Sequence, residues 1–261
     1  MCNFAEKVII NLKAMDCIKN RRSVRRYDAR PVEDAPLHRL LAEAERTQTM
    51  GNMQLYSVVV TRSPEMKARL LPLHFGQRMV TEAPVVLTFC ADFNRTVRWC
   101  EQRQAEPGYD NFLSFLNAAT DALLYCQTFC TLAEAEGLGL CFLGTTFYNP
   151  QGIVDVLSLP HLVAPVATIT LGWPAEEPAQ TDRLPLSAIV HDEHYHDYDA
   201  QTIDNAYSEK ESLPENLAFV LENGKQTLAQ VFTDVRYTRR DNETLSRGYL
   251  DMLRRQGFLR E

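Results

Sequence analysis

The chain has 261 residues, 45% of them hydrophobic, enough to bury a full core in one large domain or two small ones. A formal charge of -7 argues against a general nucleic-acid binder, because grip on a phosphate backbone rests on a basic surface. The seven cysteines, at positions 2, 17, 90, 100, 126, 130 and 141, form an odd set without a C-x-x-C pair, which fits reduced thiols in a cytosol and argues against a disulfide framework or a cysteine-built metal site.

Phe4, Val8, Ile9, Leu12, Met15 and Ile18 recur at helical spacing, so an amphipathic helix is expected over about residues 4–20. Glu6 and Lys7 interrupt its apolar residues, so no signal-peptide core is expected there, and no later run approaches about 18 apolar residues. A soluble, cytoplasmic protein with no membrane span follows. The helix delivers Arg21-Arg22-Ser23-Val24-Arg25-Arg26-Tyr27, a run whose guanidinium forks and short hydroxyl suit a phosphate. In a chain this acidic, such a run serves something small.

Acidic Glu33 and Asp34 precede Leu37, Leu40, Leu41 and Ala44, which predicts a helix over 34–46. The polar loop from Thr47 to Gln54 leads to a β-branched strand at 55–60. A short helix at 64–73, an exposed connection at 74–84 carrying Gln77, and a buried strand at 85–90 come next. Residues 112–135 are apolar on more than one face, the mark of a central core helix or a subunit interface. Gly137-Leu138-Gly139 ends that helix and 140–143 forms a third strand. A tight turn at 144–146, a short helix at 153–157 and a strand at 163–171 follow, then a proline-rich loop at 175–185 carrying Arg183. Residues 186–190 are expected to extend the sheet, and beyond 197 helical patterning takes over, with a helix ending near Val235 and a last one beginning near Asn242.

Gly137-x-Gly139 with Gly144 follows a helix and enters a strand, whereas a dinucleotide fingerprint runs strand, turn, helix; a Rossmann site is set aside. Cys126 and Cys130 lack a second ligand pair and read as core. His191, His194 and His196, with Asp192, Glu193 and Asp197, read as a solvated polar patch at a strand exit rather than a metal site. No nucleophile elbow points to a hydrolase.

The order of these signals resembles the FMN-dependent nitroreductases, and within them the NADPH-preferring flavin oxidoreductase or oxygen-insensitive nitroreductase subgroup. Arg21-Arg22-Ser23-Val24-Arg25 resembles the family's R-R-S-x-R opening, Gly51-Asn52-Met53-Gln54 its N-x-Q loop, and Gly137-Leu138-Gly139 with Gly144 its G-L-G…G turn. Leu171-Gly172-Trp173-Pro174 with Arg183-Leu184-Pro185 resembles its L-G-W-P…R-L-P segment. His74-Phe75-Gly76-Gln77 and Tyr237-Thr238-Arg239-Arg240-Asp241 resemble the NADPH-preferring subgroup.

The resemblance implies an α+β fold, a central, mostly antiparallel β-sheet surrounded by helices, as one domain over 1–261 with a core at 1–196 and a helical C-terminal extension at 197–261. It implies a domain-interlocked homodimer with shared active sites, oxidising NADPH, or NADH less well, and reducing nitroaromatics, quinones or flavins by a two-electron ping-pong scheme. Arg21, Ser23 and Arg183 would meet the FMN phosphate with Arg22 nearby, Arg25 would lie near N1 and O2, and Gln77 at the pyrimidine edge. A backbone donor from Gly144 or Thr145 would lie near N5, and Gln48, Thr49, Met50 and Asn52 would reach the partner's flavin. Arg236, Arg239, Arg240 and Arg247 are candidates for the 2′-phosphate of NADPH. No metal is implied, and FMN carries the chemistry without a catalytic side chain. Many relatives carry lysine where this chain has Thr181. A dehalogenase-type or oxygen-dependent flavin enzyme of the same fold remains an alternative, as does a non-catalytic flavin-binding or sensing protein.

Overall fold

A computed structural model describes residues 16–260. The expected N-terminal helix falls largely outside the described residues; its visible end is helical at 16–19. The contacts divide the chain into two compact units, one of residues up to Gln180 together with Leu245 onward, the other Thr181–Thr244.

The first unit begins with the arginine run, which lies extended. It is followed by α1 (Asp34–Ala44), β1 (Tyr56–Thr61), α2 (Pro64–Leu70), α3 (Met79–Glu82), β2 (Val85–Asp92) and α4 (Asn94–Gln102). Then come α5 (Phe112–Ala135), β3 (Gly139–Leu143), α6 (Pro150–Leu157) and β4 (Val163–Gly172). The strands form one antiparallel sheet in the order β1-β2-β4-β3, with a register shift at Phe89/Cys90. All of β2 and β4 is buried, as expected of runs without polar alternation. Successive side chains on β2 face opposite ways: Leu87 and Phe89 join the main core with α5, while Val86 joins a smaller cluster with Leu70, Met79 and Val80. Tyr125 of α5 stacks on Tyr56 at 4.3 Å between ring centroids and meets Phe89 edge-on.

Several expectations need correction. The segment 74–84 is no exposed connection: it contains α3, and His74, Met79, Val80 and Ala83 are buried. Lys67 reaches in from α2 to donate to the carbonyls of Thr81 and Ala83 at 3.1 and 2.7 Å, which pins the segment, and burial pushes its ammonium down from the usual lysine range. Residues 186–190 do not extend the sheet; Leu186–Ala188 is a single 3-10 turn whose Ala188 carbonyl accepts from the Tyr198 hydroxyl at 2.8 Å. Helix α4 was not foreseen; NRTVRWCEQ is polar overall and buries only Thr96. Helix α5 buries only one face in the chain, through Phe115, Ala118, Ala122, Phe129 and Ala133, and leaves Leu113, Leu116, Leu123 and Leu124 exposed.

In the second unit, α7 (Ala200–Ser212) is capped by Asp199, whose Oδ1 accepts from the Thr202 N–H at 2.8 Å. It is followed by α8 (Pro214–Glu222), α9 (Leu228–Val231) with a Thr227/Gln230 capping box, and one π turn at Phe232–Arg236. The last helix, α10 (Arg239–Arg255), starts three residues before the expected Asn242, because Thr238 caps it by accepting from the Asp241 N–H at 3.1 Å. Its later part belongs to the first unit, where the Tyr249 hydroxyl donates to the Pro165 carbonyl at 3.0 Å and Phe258 is fully buried.

Candidate active site

The arginine run is held in place through its backbone. Val24 N–H donates to the Leu140 carbonyl of β3 at 3.0 Å, Asp28 N–H to the Trp173 carbonyl at 2.9 Å, and Tyr27 bridges to Pro174. Two glycines make room for this. A Cβ on Gly139 would stand 2.8 Å from the Val24 side chain, and one on Gly172 would stand 2.6 Å from Pro84 and 2.8 Å from the Tyr27 ring. The G-L-G and L-G-W-P segments are therefore the seat of the basic run. Glu176 completes it: one carboxyl oxygen accepts the N–H groups of Arg25 and Arg26 at 2.7 and 3.0 Å.

With the backbone fixed, the side chains separate into clefts. Arg21 and Ser23 line a cleft of about 410 Å³ with Leu123, Cys126, Gln127 and Phe142. Arg25 and Gln77 meet in a larger one of about 950 Å³, with Arg26, Tyr27 and Arg78. Arg22 turns elsewhere and pairs with Glu177 at 2.5 Å. Burial pushes Cys141 up, against the pull of Arg25 and Arg21, and pushes the Glu134 carboxyl up to about 7, with Arg21 opposing. Both groups thus share the field of the basic run.

Gly144 opens the 3-10 turn after β3, and a Cβ placed there would meet no atom within 4 Å. The Thr145 hydroxyl lies beneath, 2.8 Å from His74 Nδ1, and accepts from Gln77 Nε2 at 3.4 Å. The structure thus brings Gln77, Thr145 and Arg25 together through Gln77. The loop holding Gln48, Thr49, Met50 and Asn52 lines neither cleft. It is clamped to α5, with Gly51, Asn52 and Gln54 all near φ +55.

In the second unit, Arg183 folds back on its own loop and donates to Thr181 Oγ1 and the Asp182 carbonyl, each at 2.8 Å. Arg236 lies over the Phe219 ring at 4.1 Å. Arg239 and Arg240 occupy the first turn of α10 rather than an irregular stretch, with Arg239 3.8 Å from Glu243. His191 packs on Tyr195, and among the described residues no His, Cys, Asp and Glu cluster could hold a metal.

The sequence reading missed His74, Asp121 and Glu176 as builders of the site. Asp121 carried a signal, an acidic residue in an apolar helix, which must find partners when buried. Glu176 carried none.

A model of the nitroreductase family matches residues 18–173. The chain belongs to the nitroreductase family. An oxygen-insensitive NADPH nitroreductase of Salmonella typhimurium is 30% identical over 189 residues, covering 72% of this chain and 77% of that protein. An FMN reductase (NAD(P)H) of Bacillus subtilis is 33% identical over 213 residues, covering 80% of this chain and 84% of that one. A crystal structure of an oxidoreductase from Bacteroides fragilis superposes with a TM-score of 0.93 at 59% identity, covering 94% of this chain and all of that one. The α+β expectation stands, with a four-stranded antiparallel sheet and helices. No helix among the described residues is long and apolar enough to cross a membrane.

Proposed function

We propose that this nitroreductase holds FMN along the arginine run and works as a homodimer with shared active sites. In this reading Arg21, Ser23 and Arg183 hold the phosphate, and Arg25 and Gln77 meet the isoalloxazine. The protein is an NAD(P)H-dependent FMN oxidoreductase, acting on small-molecule acceptors such as nitroaromatics, quinones or flavins. FMN held by these residues would supply the two-electron redox chemistry between NADPH and the acceptor. The residues supply position and charge. Arg25, fixed through its own N–H to Glu176, places a permanent cation where negative charge develops on the ring system. Gly144 leaves an open face where a planar ring can approach the backbone.

The observation that carries this reading is the meeting of Arg25 and Gln77 in one cleft of about 950 Å³, at the upper end of the range for ligand sites. The partner's flavin would be met by Gln48, Thr49, Met50 and Asn52, and the 2′-phosphate of NADPH by Arg236, Arg239, Arg240 or Arg247. The single domain with its extension at 197–261 and a cytoplasmic location belong to the same reading. Anaerobic mixing with NADPH tests it: the visible absorbance of bound FMN bleaches, and adding a nitroaromatic or quinone restores it. Flavin that stays oxidised would favour a binding or sensing role.

A further inference from the structure

His74 is fully buried, and nothing in the site as described requires a histidine there. Its Nδ1 lies 2.8 Å from Thr145 Oγ1, while Nε2 is buried with no hydrogen-bond partner. A buried polar atom without a partner is destabilising, and an aliphatic side chain would fill the same space without that cost. The half of the ring that is satisfied must therefore serve something. Burial pushes the ring down to about 4, so it stays neutral and puts no second cation behind the cleft.

The satisfied half acts on one oxygen. Thr145 Oγ1 also accepts from Gln77 Nε2 at 3.4 Å, so a single hydroxyl joins the 71–74 turn, Gln77 and the turn opened by Gly144. With Nε2 turned toward Thr145 Oγ1, the opposite end of the Gln77 carboxamide is Oε1, an acceptor. A flavin's pyrimidine ring carries one N–H donor, at N3, between two carbonyls. The polarity of Gln77 matches that donor only while the hydroxyl keeps Nε2 occupied.

We propose that His74 is a positioning residue which, through Thr145 Oγ1, holds Gln77 with its carbonyl oxygen toward the N3–H of FMN and locks that edge to the Gly144–Thr145 turn. The proposal rests on the FMN reading above.

The test titrates the apoprotein with FMN, following flavin fluorescence, and measures the midpoint potential of the bound flavin in wild type, His74→Asn, His74→Leu and Thr145→Val. Asparagine keeps a polar group near the place of Nδ1; leucine and valine remove the two ends of the contact. His74→Leu and Thr145→Val are each expected to raise the FMN Kd about tenfold, equivalent to about 1.4 kcal/mol, and to move the potential in the same direction. The double variant should be no worse than either single one, because both break one chain of contacts. His74→Asn should stay within about twofold of wild type. Thr145→Val keeps the side-chain volume, so an unchanged Kd and potential in that variant overturn the proposal even where His74→Leu fails to fold. Equal losses in His74→Asn and His74→Leu, additive with Thr145→Val, would show a packing role and overturn it too. A wild-type protein that takes up no FMN overturns the site reading and this proposal together.

Discussion

Asp121 Oδ1 accepts the Met50 N–H at 2.8 Å while its Oδ2 accepts the Leu55 N–H at 3.1 Å, so one fully buried carboxyl on α5 spans both ends of the loop assigned to the partner's flavin. The loop needs such a clamp because Asn52 and Gln54 both adopt left-handed backbone angles. Asp121→Ala leaves two amide groups unpaired, at roughly 1–3 kcal/mol for each that stays buried. We expect a loss of about 3 kcal/mol in urea unfolding. Asp121→Asn should be only partly better, because its amide presents a donor to one of the two N–H groups. A variant as stable as wild type would show that the loop holds itself.

Motifs that act through the backbone were readable in the sequence, and contacts made by one side chain across the fold were not. Gly139 and Gly172 stood out as parts of the G-L-G and L-G-W-P segments, and the structure supplies the reason, since a Cβ at either would crowd Val24 or Tyr27. The strands at 56–61, 85–92 and 163–172 were legible from β-branched runs with few polar breaks. The burial of 74–84 was hidden because it depends on Lys67, a residue whose type signals solvent but whose stem and ammonium are spent on Thr81 and Ala83. The apolar excess of α5 was legible, yet composition could not say which face the core would take.

In the proposed function one phosphate falls to two cationic positions far apart in the sequence, Arg21 and Arg183. Among the described residues Arg183 is engaged by acceptors of its own loop, which a phosphate can replace at little cost. The purified protein is expected to be yellow with one FMN per chain, and Arg21→Ala with Arg183→Ala to be folded and colourless. Full flavin content in the double variant refutes the phosphate assignment.

Glu134 gives a pH dependence with a definite sign. Burial raises its folded-state value from 4.5 to about 7, with Arg21 holding it back, so the folded chain binds more protons than the unfolded one between those values. Stability from this group is full below about pH 4.5 and is lost as pH rises through about 7. Glu134→Gln does not titrate, so the unfolding free energy of wild type minus that of the variant should fall over this interval and level off above it. A difference independent of pH would mean that Glu134 ionises alike in both states.

The exposed face of α5 predicts the assembly. Leu113, Leu116, Leu123 and Leu124 are 64%, 48%, 39% and 40% exposed, and Phe142 of β3 is 47% exposed. Exposed apolar side chains along one helix suit an interaction surface, and an obligate interface typically exceeds about 2,000 Å². Wild type should sediment as a dimer at micromolar concentration, and Leu113→Glu with Leu116→Glu as a monomer with weakened flavin. A wild-type monomer that keeps reducible FMN would remove the shared-site reading.

The proposed choice of nicotinamide is tested at the start of α10. Arg239 and Arg240 occupy its first turn, where the helix dipole disfavours cations and favours anions. Arg239 has only a loose contact with Glu243, at 3.8 Å with its side chain 91% exposed, so the fold itself gains little from it. Two cations at a helix start, where the dipole favours an anion, suit a phosphate, and NADPH differs from NADH by one. Charge-assisted hydrogen bonds contribute roughly 1.5–3 kcal/mol where water is excluded and less in an exposed turn. Arg239→Ala with Arg240→Ala should therefore raise the NADPH KM about tenfold, the equivalent of about 1.4 kcal/mol. The NADH reaction should barely change, and the melting temperature should hold or rise, because the dipole is relieved. Added salt should shrink the NADPH preference in the unmodified enzyme, since screening acts on exposed charges first. Equal losses with both nicotinamides would assign these arginines to folding or general binding, and a wild-type preference for NADH would remove the proposal.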